Sequence, residues 1–182
     1  MEGKGLKEFF SKLKQDSVRF AYQFQISFTS EENDSIIQDL DDIQFFAQSA
    51  SLPGKTIETS EVFYQGVTLR VPNNVTFESP WTINLRCDED MKVFKTIEKW
   101  NSKYADLTKG GGGDKRIPPF NARIDLLDKT LQHIKETYVI TGVWPENYGE
   151  ITLDQSDNSI TVFDVALAYQ YYYNEASGDP LK

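Results

Sequence analysis

From Phe20 the chain alternates strictly. Phe20, Tyr22, Phe24, Ile26 and Phe28 fall on one side of an extended backbone, and Ala21, Gln23, Gln25, Ser27 and Thr29 on the other. A period of two predicts a half-buried β-strand. Similar patterning predicts strands over 43–51, 62–71, 75–87, 120–127 and 132–143. The last two form a hairpin about Asp128-Lys129-Thr130, while Leu52-Pro53-Gly54 ends the first and Pro72-Asn73-Asn74 separates the next two. Proline and glycine are expected to punctuate regular structure in this way. A rigid corner at Trp144-Pro145 then leads to a short alternating run, Glu150 to Leu153, and a polar turn, Ser156 to Ser159. The return strand, 160–173, is the longest. It places Phe163, Val165, Leu167, Tyr169 and Tyr171 on a face that requires a dry core. Val162, Asp164, Ala166, Ala168 and Gln170 occupy the opposite face, small or polar, as a wall or a close neighbour would need.

Two stretches change period. Leu6, Phe9, Phe10 and Leu13 recur at helical spacing among lysines, which reads as a terminal helix docking on its own domain or a neighbour, with a membrane-surface helix as the alternative. Met91, Phe94, Ile97 and Trp100 form the stripe of the one substantial helix, over 88–104. Asp88, Glu89 and Asp90 stand at its start, where negative charge is favoured. Residues 30–42 are acidic and read as an exposed loop. Residues 107–119 loosen around Gly110, Gly111, Gly112 and Gly113. Seven or eight strands and one main flanking helix predict a mainly β protein, an antiparallel sandwich or barrel. One domain is expected over 1–182, with an N-terminal segment at 1–19, the glycine-rich loop at 107–119 and a polar tail at 174–182.

Composition narrows the function. Hydrophobic residues make up 39% of the chain and aromatic residues 13%, enough for a β-rich core. A formal charge of -9 argues against sequence-independent nucleic-acid binding, which needs a basic surface. A lone cysteine, Cys87, leaves no intramolecular disulfide and suits a reducing compartment. The start of the chain has no signal-peptide pattern and no run reaches membrane-spanning length, so synthesis in the cytosol without membrane binding is expected. Candidate chemistry is thin. His133 has no second histidine with which to build a metal site. The Lys109 to Lys115 run lacks the order of a phosphate loop. Asp154 to Asn158 lacks the Gly and Glu of a calcium loop and reads as a turn. Cys87 and Ser156 have no base beside them in sequence. The expectation is therefore no catalytic site, no cofactor, no metal and no enzyme.

Three blocks carry a resemblance to the tail tube protein family of contractile-tailed bacteriophages. Residues 142–154, GVWPENYGEITLD, followed by Phe163, Val165 and Leu167, resemble the C-terminal hairpin of that family. Residues 47–54, AQSASLPG, look like its strand and loop ending in Leu-Pro, and 77–83, FESPWTI, like its Trp-Thr strand; a helix ending in Trp100 follows. The resemblance spans about Asp16 to Tyr172. It implies sheets joined across subunits into a hexameric ring, with rings stacked into a tube through which DNA passes without specific binding. It further implies the sheath protein, baseplate tube initiator, tape-measure protein and tail terminator as partners, and the virion tail as location after assembly in host cytoplasm. The same fold serves type VI secretion tubes, phage-tail-like bacteriocins and baseplate initiators or caps, which stay open as alternatives; a monomeric β-rich binding module or an unrecognised hydrolase comes last. Candidate ring or stacking contacts are Leu52, Pro53, Gly54, Gly110, Gly111, Gly112, Gly113, Trp144, Pro145 and Asn158. Candidate wall residues are Val162, Asp164, Ala166, Ala168 and Gln170.

Overall fold

A computed structural model describes residues 19–30, 35–40, 43–105, 113, 116, 118–154, 156 and 158–181. The 6–13 stripe, the lysine-rich start, Gly110 to Gly112 and part of the acidic 30–42 stretch lie outside them. In chain order the elements are β1 (Phe24–Ser30), α1 (Ser35–Leu40), α2 (Ile43–Phe46), β2 (Ala47–Ala50), β3 (Lys55–Tyr64), β4 (Val67–Phe77) and β5 (Trp81–Arg86). There follow α3 (Lys92–Tyr104), β6 (Phe120–Leu127), β7 (Ile134–Thr141), β8 (Trp144–Tyr148), β9 (Val162–Ala168), β10 (Tyr171–Asn174) and a 3-10 turn at Glu175–Ser177.

Two four-stranded sheets, β1-β6-β7-β10 and β2-β5-β9-β8, are antiparallel throughout. Their inner faces share one core. The first sheet supplies Ile26, Phe28, Phe120, Ala122 and Ile124; the second supplies Trp81, Ile83, Leu85, Phe163, Val165 and Leu167. These are the alternate positions of their strands, so the period of two places them there. Helix α3 closes the core with Val93, Ile97 and Trp100. Trp100 meets Phe28 edge-on at 5.6 Å and Phe120 at 5.1 Å, and so ties the helix to the first sheet. Phe94 meets Phe163 at 5.3 Å and ties it to the second. Helix α3 begins on a left-handed Met91, and the carboxylate of Asp88 accepts the Val93 N–H at 3.0 Å. Asp88 thus satisfies one of the orphan donors at the helix start.

Several expected elements differ in the structure. Phe20 and Tyr22 are exposed and stacked on each other, because a turn closed by the Gln23 N–H on the Phe20 carbonyl precedes β1. Residues 35–40 are helical, not looped, since Ile36 and Leu40 reach the core. The strand expected from Ile43 begins as a helical turn and extends only over β2. The turn expected at Pro72 to Asn74 lies inside β4, and the chain reverses instead at Gln65-Gly66, both at positive φ. His133 sits in the exposed bend before β7, outside the strand. The run 150–153 is not a strand, whereas the Trp144-Pro145 corner is. The long return strand is two strands in different sheets. After Ala168 the chain leaves the second sheet, and the Gln170 N–H bonds the Thr141 carbonyl as it joins the first.

Candidate assembly surfaces

Strands β3 and β4 pair only with each other. They form an arm ten residues long on one side and eleven on the other, roughly 33 Å at the usual rise per residue. A two-residue loop, Gln65-Gly66, with φ of 50° and 81°, fits the right-handed twist of a hairpin, and the glycine adopts its angle without strain. Along the arm only Ser60 and Phe77 are even half-buried. Yet the arm is rich in apolar residues: Val62, Tyr64, Val67, Leu69 and Val71 are 40% to 64% exposed. An isolated two-stranded ribbon is marginal in water, and an apolar face of this kind marks an interaction surface.

The root of the arm is clamped to the body. The Glu78 N–H bonds the Gly54 carbonyl at 3.1 Å, Trp81 Nε1 bonds the Ser51 carbonyl at 2.7 Å, and the Tyr169 hydroxyl donates to the Glu78 carbonyl at 2.6 Å. Phe77 meets Tyr172 edge-on at 5.5 Å. A Cβ on Gly54 would lie 2.6 Å from the Glu78 carboxylate, so a larger residue there would displace the Glu78 side chain. Burial, with Tyr172 and Glu78 nearby, pushes the Tyr169 hydroxyl up to about 12. It therefore remains a donor at neutral pH. Leu52-Pro53-Gly54 belongs to this clamp: Leu52 is 48% exposed, while Pro53 is buried.

The second sheet presents a different outer surface. Val162, Asp164 and Ala166 of β9 lie opposite Arg86, Asn84 and Thr82 of β5. Asn84 Nδ2 donates to Asp164 Oδ1 at 2.7 Å. Side chains on these two rows are small or polar, with Arg86 as their cation. Ala168 departs from the expected row: it is 6% exposed, opposite Trp144 where the strand ends. Gln170 is exposed but lies beyond the strand. At the sheet's β8 edge, Asn101 of α3 donates to the Pro145 carbonyl at 2.9 Å. Covering an edge with a helix blunts unwanted strand pairing. Trp144 is half-buried and Pro145 buried, so the corner serves closure of the body before any contact outside it. Asn158 is exposed in the β8–β9 connection. Gly113 is half-buried beside Tyr104; Gly110, Gly111 and Gly112 lie outside the described residues.

Residues weighed for chemistry do not converge. Burial, then the charge of Asp88, pushes the Cys87 thiol up, the direction that disfavours the reactive thiolate. Ser156 donates from its backbone and hydroxyl to Asp154, which holds that carboxyl below the usual range. This is a turn, as the residue types suggested. Among the described residues no group of three or more His, Cys, Asp or Glu could hold a metal ion, and no helix is long and apolar enough to cross a membrane. The arm is the feature that sequence reasoning missed. Its one local signal was Gln65-Gly66 between two alternating runs, weaker than an Asn-Gly pair.

Comparisons with known proteins converge on one family. The family model for phage tail tube proteins matches residues 15–175. The chain is similar to the tail tube protein gp19 of Enterobacteria phage T4, 27% identical over 133 residues, which is 70% of this chain and 79% of that protein. In fold it is similar to a chain of the anti-feeding prophage baseplate, with a TM-score of 0.62 at 16% identity over 87% of this chain and 96% of the other. It is likewise similar to a chain of the PVC sheath-tube complex of an extracellular contractile injection system, with a TM-score of 0.59 at 15% identity over 90% and 95%.

Proposed function

The chain belongs to the phage tail tube protein family, so it is a structural tube subunit, and we propose that it builds the inner tube of a contractile tail as stacked hexameric rings. The observation that carries this reading is the arm: a long ribbon whose apolar side chains face water in the lone subunit. Neighbouring copies are the occupants that the family supplies. Lateral copies close the ring, stacked copies extend it, and the bore becomes a conduit for DNA.

The outer face of the second sheet is our candidate wall. Val162, Asp164 and Ala166, with Thr82 and Asn84, would line a smooth surface, and a formal charge of -9 per subunit disfavours adhesion of DNA. Arg86 is a cation on that face and would have to be outnumbered around the ring. The sheath protein, the baseplate tube initiator, the tape-measure protein and the tail terminator are the partners this role entails. The virion tail is its final place, reached after assembly in host cytoplasm. We place the glycine run 110–113, Leu52 and Asn158 among the contacts between copies: Leu52 and Asn158 are exposed, and a run of four glycines has the backbone freedom to fit a partner.

Negative-stain microscopy of the purified chain tests the reading. Stacked tubes with a central bore are expected. Single rings that never stack would favour a baseplate initiator or cap, and monomers at every concentration would overturn the assembly proposal.

A further inference from the structure

Resting on the tube reading, we infer that the arm is two-faced, joining one neighbour with its root and a different one with its tip. Val67, Leu69, Val71, Val75 and Phe77 keep a period of two, which a regular β4 would place on a single apolar face. The pairing breaks that regularity. Thr59 lies opposite Pro72 and Ile57 opposite Val75, so one residue of β3 faces two of β4, Asn73 and Asn74. This bulge turns the apolar set over.

Beyond the bulge, Ser60 pairs with Val71, Val62 with Leu69 and Tyr64 with Val67, which puts those apolar side chains on one face. Strand β3 is regular, so Ile57 shares a face with Thr59 and Glu61 instead, and its partner Val75 goes with it. That opposite face is apolar at the root, where Ile57 is 56% and Val75 51% exposed and Phe77 already touches Tyr172. Towards the tip it turns more polar, with Thr59, Thr68 and the Glu61–Arg70 pair at 3.2 Å, interrupted by Pro72 and Phe63. Two apolar patches therefore look in opposite directions, and one flat partner cannot cover both.

Reach assigns them. The root patch adjoins the body, so a copy that covers it also touches the body's flank, as a lateral neighbour in a ring does. The tip patch begins roughly 10 Å farther out, three residues along the strand at the Ser60–Val71 pair, and runs away from the body to Tyr64, within reach of a copy in the next ring. The bulge is thus the device that lets one ribbon serve both ring closure and stacking.

Three variants test this by microscopy and sedimentation, each checked for an unchanged melting temperature of the body. Ile57→Asp with Val75→Asp is expected to leave monomers. Leu69→Asp with Val71→Asp is expected to give rings without tubes. Inserting one threonine between Glu58 and Thr59 restores two-against-two pairing and turns the tip patch to the root's side. Rings without tubes are again expected, now with every apolar side chain retained. The inference is overturned if both charged variants stop at the same stage, or if the insertion variant grows ordinary tubes. A wild-type chain that forms neither rings nor tubes would instead count against the tube reading itself.

Discussion

Between Trp81 and Arg86 every second side chain is sealed in the core; between Lys55 and Phe77 none is. Both stretches are strands, and both carry abundant β-branched and aromatic residues. They differ in what lies behind them. β5 has β2 and β9 as hydrogen-bonding neighbours and the core beneath its inner face. The arm has itself alone. Apolar burial drives folding in roughly linear proportion to area, so the body's pattern is satisfied within one chain and the arm's is not. The lesson is that amphipathic alternation reports a need for a partner without saying which molecule provides it.

The comparison breaks most sharply at Trp100. It is 0% exposed and holds α3 against Phe28 and Phe120. Trp100→Ala is expected to cost about 3–5 kcal/mol, as large-to-small changes in cores do. Chemical denaturation should show the midpoint fall with the slope unchanged. Leu69→Ala on the arm should leave that midpoint within about 0.5 kcal/mol of wild type, the range of surface changes. Equal losses at both sites would mean that the arm is part of the subunit's own core.

A smaller effect is expected at the start of α3. Burial pushes the Asp88 carboxyl up, but the backbone N–H groups of Val93 and Lys92 outweigh it and hold the group below its usual range. A carboxyl depressed in the folded state contributes stability above its unfolded pKa. That contribution is lost as pH falls through the folded value. Asp88→Ala should cost about 0.5–2 kcal/mol at neutral pH, the range for loss of a helix cap. It should also flatten the decline in stability below about pH 4. An unchanged acid profile would mean the hydrogen bond to Val93 contributes nothing.

Much of the body was legible in the sequence because its elements satisfy themselves locally. The stripe through Ile97 and Trp100, the hairpin of 120–127 with 132–143, and the buried row Phe163, Val165 and Leu167 all follow from periodicity. What failed has nonlocal causes. The 160–173 run alternates without a break, and only the competing pull of two sheets divides it at Ala168. The turn expected at Pro72 to Asn74 is a bulge inside one strand, and only the register against β3 reveals it. Phe20 and Tyr22 continue an apolar alternation in sequence, but no neighbouring strand extends far enough to receive them. The proposed wall row was legible as Val162, Asp164 and Ala166. It stopped being so at Ala168, where the end of a strand decides burial.

The junction between the two regions gives a small effect and the most diagnostic one. Tyr169 belongs to the body, being 5% exposed, yet its hydroxyl holds the Glu78 carbonyl at the root of the arm. Tyr169→Phe removes that bond and leaves the carbonyl without this donor, an expected loss of about 0.5–1.5 kcal/mol. The pH dependence separates this bond from mere packing. An unfolded tyrosine ionises near pH 10, while burial, Tyr172 and Glu78 push the folded Tyr169 up to about 12. The folded state therefore keeps a proton that the unfolded state gives up. This contribution is complete below about pH 10 and declines as pH rises from there through about 12. In wild type the melting temperature should fall more steeply across that window than in Tyr169→Phe, and protease cleavage at the arm's root should rise with it. If the two proteins show parallel alkaline profiles, the hydroxyl is not what fastens the arm to the body.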